Sequence, residues 1–220
     1  SDGSHEGTNR YEVGDPDLNH ERNVQLDLSL EHQSHHLEVY ANVFYNNVND
    51  YIYLTPTGTF VEDDPVFLYV QDNAKLYGGE FGVHIHPHPF DWLHLELGYE
   101  TVTGKLDDDS HLPLIPANTF KNTIRVEFDG KTITKGQAYV RLSSVLDQKN
   151  TGEFETRTGG YSLLGAGISG TIQALGNPLE ITIAGNNLTN KTYISHLSRL
   201  KPDDIYNMGR NFSFGLRYVL

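Results

Sequence analysis

The stretch N-F-S-F-G-L-R-Y-V-L at 211–220 decides how the rest of the chain is read. Phe212, Phe214, Leu216, Tyr218 and Leu220 alternate with Ser213, Gly215, Arg217 and Val219. Successive strand side chains point to opposite faces, so this period of two predicts a strand with one apolar and one mostly polar face. Its length matches the ~9–11 residues that a tilted strand needs to cross a bilayer. A chain ending on large apolar groups also needs a sheet to tie them down.

The same pattern recurs upstream. Val24, Leu26, Leu28 and Leu30 alternate with Gln25, Asp27, Ser29 and Glu31. Similar runs begin near Leu37, Phe67, Leu93, Phe120, Ala138, Tyr161 and Leu179, giving about nine strands and no convincing helix. Residues 1–21 are polar and turn-rich and read as a loop. The connections fall into two groups. Those near 33–35, 87–91, 129–131 and 175–178 are short, whereas those at 55–65, 106–118, 147–157 and 189–210 are long. Alternation of short and long connections places all the short ones on one rim, as in an outer-membrane barrel. The face opposite the apolar one carries Asp27, Glu38, Glu80, Glu96, Glu100, Arg125, Glu127 and Arg217. A packed core could not bury so many charges, but a wet lumen can hold them. The competing reading is a soluble β-sandwich binding module whose charged face is its outside; it gives no reason for loop length to sort by rim.

Composition agrees with a sheet that has a wet face. The 220 residues are 37% hydrophobic, with 21 Gly and 13 Tyr. There is no run of ~18 apolar residues, which excludes a membrane helix and leaves a membrane barrel open. With no Cys, disulfides and thiolate metal sites are excluded. A net charge of −13 argues against a nucleic-acid partner. The chain opens on Ser1 without a leader, and an odd strand count does not close a bacterial barrel; a piece of a larger barrel is expected.

Four segments resemble the TonB-dependent receptors of bacterial outer membranes. E-V-G-D-P-D-L-N-H-E-R at 12–22 is similar to that family's N-P-x-L-x-x-E segment, with Asp15 in place of the first Asn. A-N-V-F-Y-N-N-V-N-D-Y-I at 41–52 is similar to its F-Y-N-x-I-x-D-x-I strand. G-N-N-L-T-N-K-T-Y at 185–193 resembles its penultimate-strand N-L-x-(D/N)-K-x-Y, and G-R-N-F-S-F-G-L-R-Y at 209–218 the closing strand, with Leu220 where the family ends on Phe. The resemblance implies an all-β, antiparallel up-and-down transmembrane barrel of 22 strands, of which residues 1–220 supply the C-terminal part. The plug domain and the N-terminal strands would lie outside this sequence, with a separate chain as one source of them.

It further implies an active transport receptor, not an enzyme, that needs no cofactor of its own. The transported ligand would be zinc, haem or a ferric siderophore. Partners would be outer-membrane lipid, the missing barrel and plug portion, and TonB with its inner-membrane energising complex. A barrel enzyme or a passive porin is the alternative within the same architecture.

Eleven His raise the question of metal. If the long loops face outward, His32, His35, His36, His84, His86 and His88 lie on the inner rim. His84, His86 and His88 share one strand face and could ligate Zn²⁺ or Cu²⁺, although a polar inner-rim turn is the expected reading. The outward candidates are His5, His20, His111 and His196, with Asp107, Asp108 and Asp109 beside them. Imidazole and carboxylate together suit a borderline divalent ion. The run D-D-D-S-H at 107–111 is not read as a hydrolase triad, because triads are assembled in space and no nucleophile elbow is present.

Overall fold

The computed structural model describes residues 2–5 and 10–218. Its strands are β1 (Gly3–His5), β2 (Arg10–Val13), β3 (Arg22–Gln33), β4 (Leu37–Val61), β5 (Asp64–Ile85), β6 (Leu93–Leu106), β7 (Thr119–Phe128), β8 (Thr134–Val145), β9 (Tyr161–Ala174), β10 (Asn177–Asn186) and β11 (Asn211–Tyr218). Among the described residues the one helical element is a 3₁₀ turn, Lys201–Asp203. β3 to β11 pair in chain order, each antiparallel to the next, and form the up-and-down sheet expected from the alternating runs. Val219 and Leu220, which closed the opening motif, lie outside the described residues.

Register places the two faces as the alternation requires. One row crosses eight strands through Leu37, Ile85, Leu95, Ile124, Val140, Ala166, Gly185 and Phe212. Its exposed members include Ile124 at 56% and Phe212 at 71%. Leu26, Leu28 and Leu30 of β3 lie equally bare. A continuous, exposed apolar band of this extent marks a surface made to be covered. The opposite face carries rows such as Glu38, His84, Glu96, Thr123 and Arg141. Ion pairs cross it, including Lys121 with Glu100 and Arg125 with both Glu96 and Glu127. The sheet is open: β3 pairs only β4, and β11 only β10, among the described residues.

Two expectations fail. The 55–65 loop is part of a ladder that runs on to Val61↔Asp64, so β4 has 25 residues and β5 has 22. Register shifts between Val48 and Tyr51 and between Pro56 and Phe60 absorb the turn-type residues as bulges. Residues 1–21 are not all loop either. β2 runs parallel to β5 through Tyr11↔Val66, Glu12↔Phe67 and Val13↔Leu68, on the edge that β6 leaves above Ala74. This is one parallel pair in a sheet read as wholly antiparallel. The rim sorting holds apart from β4 and β5, whose two-residue Glu62-Asp63 turn sits on the long-loop rim. Tight turns join β3 to β4, β5 to β6, β7 to β8 and β9 to β10, and the long connections 107–118, 146–160 and 187–210 share the other rim.

Candidate functional site

The long-loop rim is built on the polar face of β5 and β6. There Ala74, Leu76, Val102 and Leu106 make a local apolar patch, and the 107–118 loop turns back over it. Leu112 is fully buried against Ala74, Leu106 and Ile115. Close approach requires Gly104: a Cβ there would meet Ile115 Cδ1 at 2.8 Å and Leu112 Cδ1 at 2.9 Å. The Leu112 amide donates to the Gly104 carbonyl at 3.0 Å. A loop that would otherwise stand in water is therefore packed across the inner wall.

The neighbouring loops fasten to it. Gln148 is buried, and its amide group donates to the carbonyls of Ile115 (2.9 Å) and Pro116 (3.1 Å). Glu155 accepts from the Leu114 amide at 2.8 Å and from the Gly152 amide at 2.9 Å. His196 Nε2 lies 3.6 Å from the same carboxylate, and His196 Nδ1 is 2.8 Å from Thr158 Oγ1. Lys201 donates to Thr158 Oγ1 at 2.7 Å. Glu155 thus joins three loops at one point. A cavity of about 130 Å³ beside it is lined by Arg10, Leu114, Phe154, Arg199 and Lys201. Arg10 stacks over Phe67 at 4.5 Å and Phe154 at 5.6 Å, which ties β2 to the same cap. Burial lowers the pKa of His196, although the Glu155 charge opposes the shift.

Of the four outward histidines, His20, His111 and His196 do not converge. His5 pairs through its backbone with Arg10 in the β1–β2 hairpin. His20 is exposed in the connection to β3. His111 lines a separate cavity of about 230 Å³ with Asn118 and Gln148. His196 sits in the buried knot just described. The aspartates are engaged locally. Asp107 accepts from Asn73 and Lys75, Asp108 from the Ser110 amide, and Asp109 pairs with Lys105. Asn73 first, and Lys75 after it, hold the Asp107 carboxyl below its ordinary range; the Ser110 contacts do the same for Asp108. One group of three ligand-type side chains does converge among the described residues: His84, His86 and His94. It lies at the short-turn rim on the polar face. Sequence reading had joined His84 and His86 to His88 and passed over His94, which only the β5–β6 register brings opposite.

An open antiparallel sheet with an apolar outer band, a charged inner wall and one set of long loops folded across that wall defines a wall segment of a large transmembrane barrel. The family model described as "TonB dependent receptor-like, beta-barrel" matches residues 1–188, and the chain belongs to that family. Solved structures agree at the level of fold. The copper transporter OprC is 18% identical with a TM-score of 0.77, covering 90% of this chain and 31% of that one. The FrpB iron transporter from Neisseria meningitidis (F3-3 variant) is 16% identical with a TM-score of 0.67, covering 96% and 33%. BauA, the ferric preacinetobactin receptor from Acinetobacter baumannii, is 19% identical with a TM-score of 0.64, covering 89% and 29%. The chain spans about a third of the length of each. These relatives are transporters and a receptor, not enzymes, and barrels of this family reside in the bacterial outer membrane.

Proposed function

We propose that this chain forms the C-terminal part of the barrel of an outer-membrane receptor that imports a metal ion or metal chelate (zinc, haem or a ferric siderophore). The observation that carries the reading is the loop cap. Three long loops fold over the inner wall and are fastened through Glu155 and Gln148, with β2 added to the edge of β5 beside them; this is the construction of a vestibule rather than of an open pore. The free edges of β3 and β11 take further strands, from the same polypeptide or a separate chain, to complete a barrel of about 22 strands. A plug within it couples to TonB and the inner-membrane energising complex. Outer-membrane lipid covers the apolar band. His5, His20 and His111 serve as single donors along the vestibule, not as one preformed site, whereas His196, buried between Thr158 and Glu155, fastens the cap. The metal-bearing names of the structural relatives support cargo of this class without choosing among its members.

Uptake of radiolabelled zinc and of ferric chelates by cells with and without the receptor, each with and without a protonophore, tests this. Accumulation that requires both the receptor and the proton-motive force is expected. Receptor-dependent entry that persists in de-energised cells would indicate a passive porin and end the proposal.

A further inference from the structure

The geometry points to a second metal site, for a borderline divalent ion of the zinc class, formed by His84, His86 and His94 on the lumen wall at the short-turn rim. It goes beyond the transport reading, because it lies at the opposite end of the wall from the loop vestibule.

Two strands and the connection between them assemble it. His84 is near the end of β5, His86 lies just beyond that end, and His94 is near the start of β6. One ligand atom from each ring lies within 4.8 Å of the others. His84 Nε2 and His94 Nδ1 are 3.0 Å apart, and His86 Nε2 is 3.4 Å from His84 Nδ1. An ion held tetrahedrally at ~2.0–2.1 Å requires ligand nitrogens ~3.3–3.4 Å apart. The His84 Nε2–His94 Nδ1 pair is within a few tenths of an ångström of that spacing, and the third imidazole lies within 4.8 Å.

The outer nitrogen of His84 adds an independent argument. His84 Nδ1 is hydrogen-bonded to Glu38 Oε2 at 3.2 Å. A donated Nδ1–H leaves the His84 Nε2 lone pair facing His94 Nδ1 at 3.0 Å, on the side where the ion would sit. A carboxylate behind a ligating imidazole is the arrangement that fixes its tautomer and raises its basicity. Glu127 Oε1 lies 3.3 Å from His94 Nε2 without hydrogen-bond geometry. His94 is buried, so its ring is held in place by its surroundings. Arg125 pairs with Glu96 and Glu127, which leaves Glu38 to face His84. With only imidazole donors, no Cys in the chain and no Met in the cluster, the site suits Zn²⁺, Ni²⁺ or Cu²⁺ better than Ca²⁺, Mg²⁺ or Cu⁺. Three ligands leave a fourth position open.

The test uses the full-length receptor, extracted in detergent and stripped of metal, titrated with zinc against a chromophoric chelator and with Co²⁺ by visible absorption. We expect one zinc equivalent per receptor that is lost in His84→Gln/His94→Gln, and an intense four-coordinate Co²⁺ band that vanishes with it. Glu38→Gln should weaken binding ~10–100-fold, the usual cost of removing such a carboxylate. His32→Gln should leave this equivalent in place. If the double variant no longer shows the heat-modifiable gel mobility of a folded barrel, His86→Gln carries the same expectation. Parent protein that binds no zinc, because the two rings share a proton instead, would overturn the proposal. So would an equivalent retained by folded protein lacking these imidazoles. Neither outcome bears on uptake, so the transport reading stands or falls separately.

Discussion

Replacing Ile124 by Arg asks which face of this sheet meets lipid. Ile124 is in mid-strand on β7, paired with Leu95 and Val140, and its side chain is unpacked on the outside of the sheet. An Arg on the lipid face of a barrel near the bilayer midplane costs ~2–4 kcal/mol, falling to ~0–1 near the interfaces. At ~1.4 kcal/mol per tenfold, that lowers the folding equilibrium by about 30- to 700-fold. Gln137 provides the internal control. It is exposed on the other face, beside Glu127 and Ser169, so Gln137→Arg should be close to neutral. The assay is urea titration of the full-length receptor folded into lipid vesicles, with gel mobility of the unboiled protein as the readout. If the two variants shift the midpoint alike, or Gln137→Arg costs more, the assignment of faces is wrong and with it the barrel reading.

The remaining expectations concern the loop cap. Leu112→Ala removes a fully buried side chain and should loosen the 107–118 loop by ~2–5 kcal/mol, seen as lost amide-exchange protection there while the strands stay protected. Gly104→Val should expel the same loop, because its Cβ would overlap Ile115 and Leu112; protease sensitivity confined to 107–118 is the sign. Gln148→Ala leaves the carbonyls of Ile115 and Pro116 without their donor and should cost ~1–3 kcal/mol of local stability, measured by the same exchange experiment. Acid should release the 187–210 loop. The lowered pKa of His196 means that its contribution is present above the unfolded value near ~6.5 and is lost as pH falls through the lower folded value. Exchange rates in that loop should rise at acid pH in the parent and much less in His196→Gln.

The wall of the barrel was legible from alternation because a half-buried strand writes its two faces directly into the sequence. β3 and β11 show this most clearly: nothing in them interrupts the period of two. The 55–65 stretch failed for the same reason in reverse. Pro56, Gly58 and Pro65 are turn residues by composition, yet bulges accommodate them while the ladder continues on either side. β1 and β2 were hidden because three and four residues are too few to show a period, and the partner of β2 is more than fifty residues away. The candidate sites divide similarly. His84 and His86 stand together in the chain, but His94 joins them only through strand register. His196 and Glu155 meet through loop packing, for which local sequence has no signature.

The β4–β5 ladder reaches well past its neighbours. Twenty-five residues at ~3.3 Å each give β4 about 80 Å of contour, against 14 residues in β6. Main-chain hydrogen bonds hold this crest up to the Glu62-Asp63 turn. On its β4 side residues 57–61 are exposed, whereas on its β5 side Val66 and Phe67 are buried where β2 adds to the edge. The shape of the outer side is thus uncoupled from its lettering. Such a mast can change its β4 surface residue by residue while its β5 side keeps hold of β2 and of the loop cap.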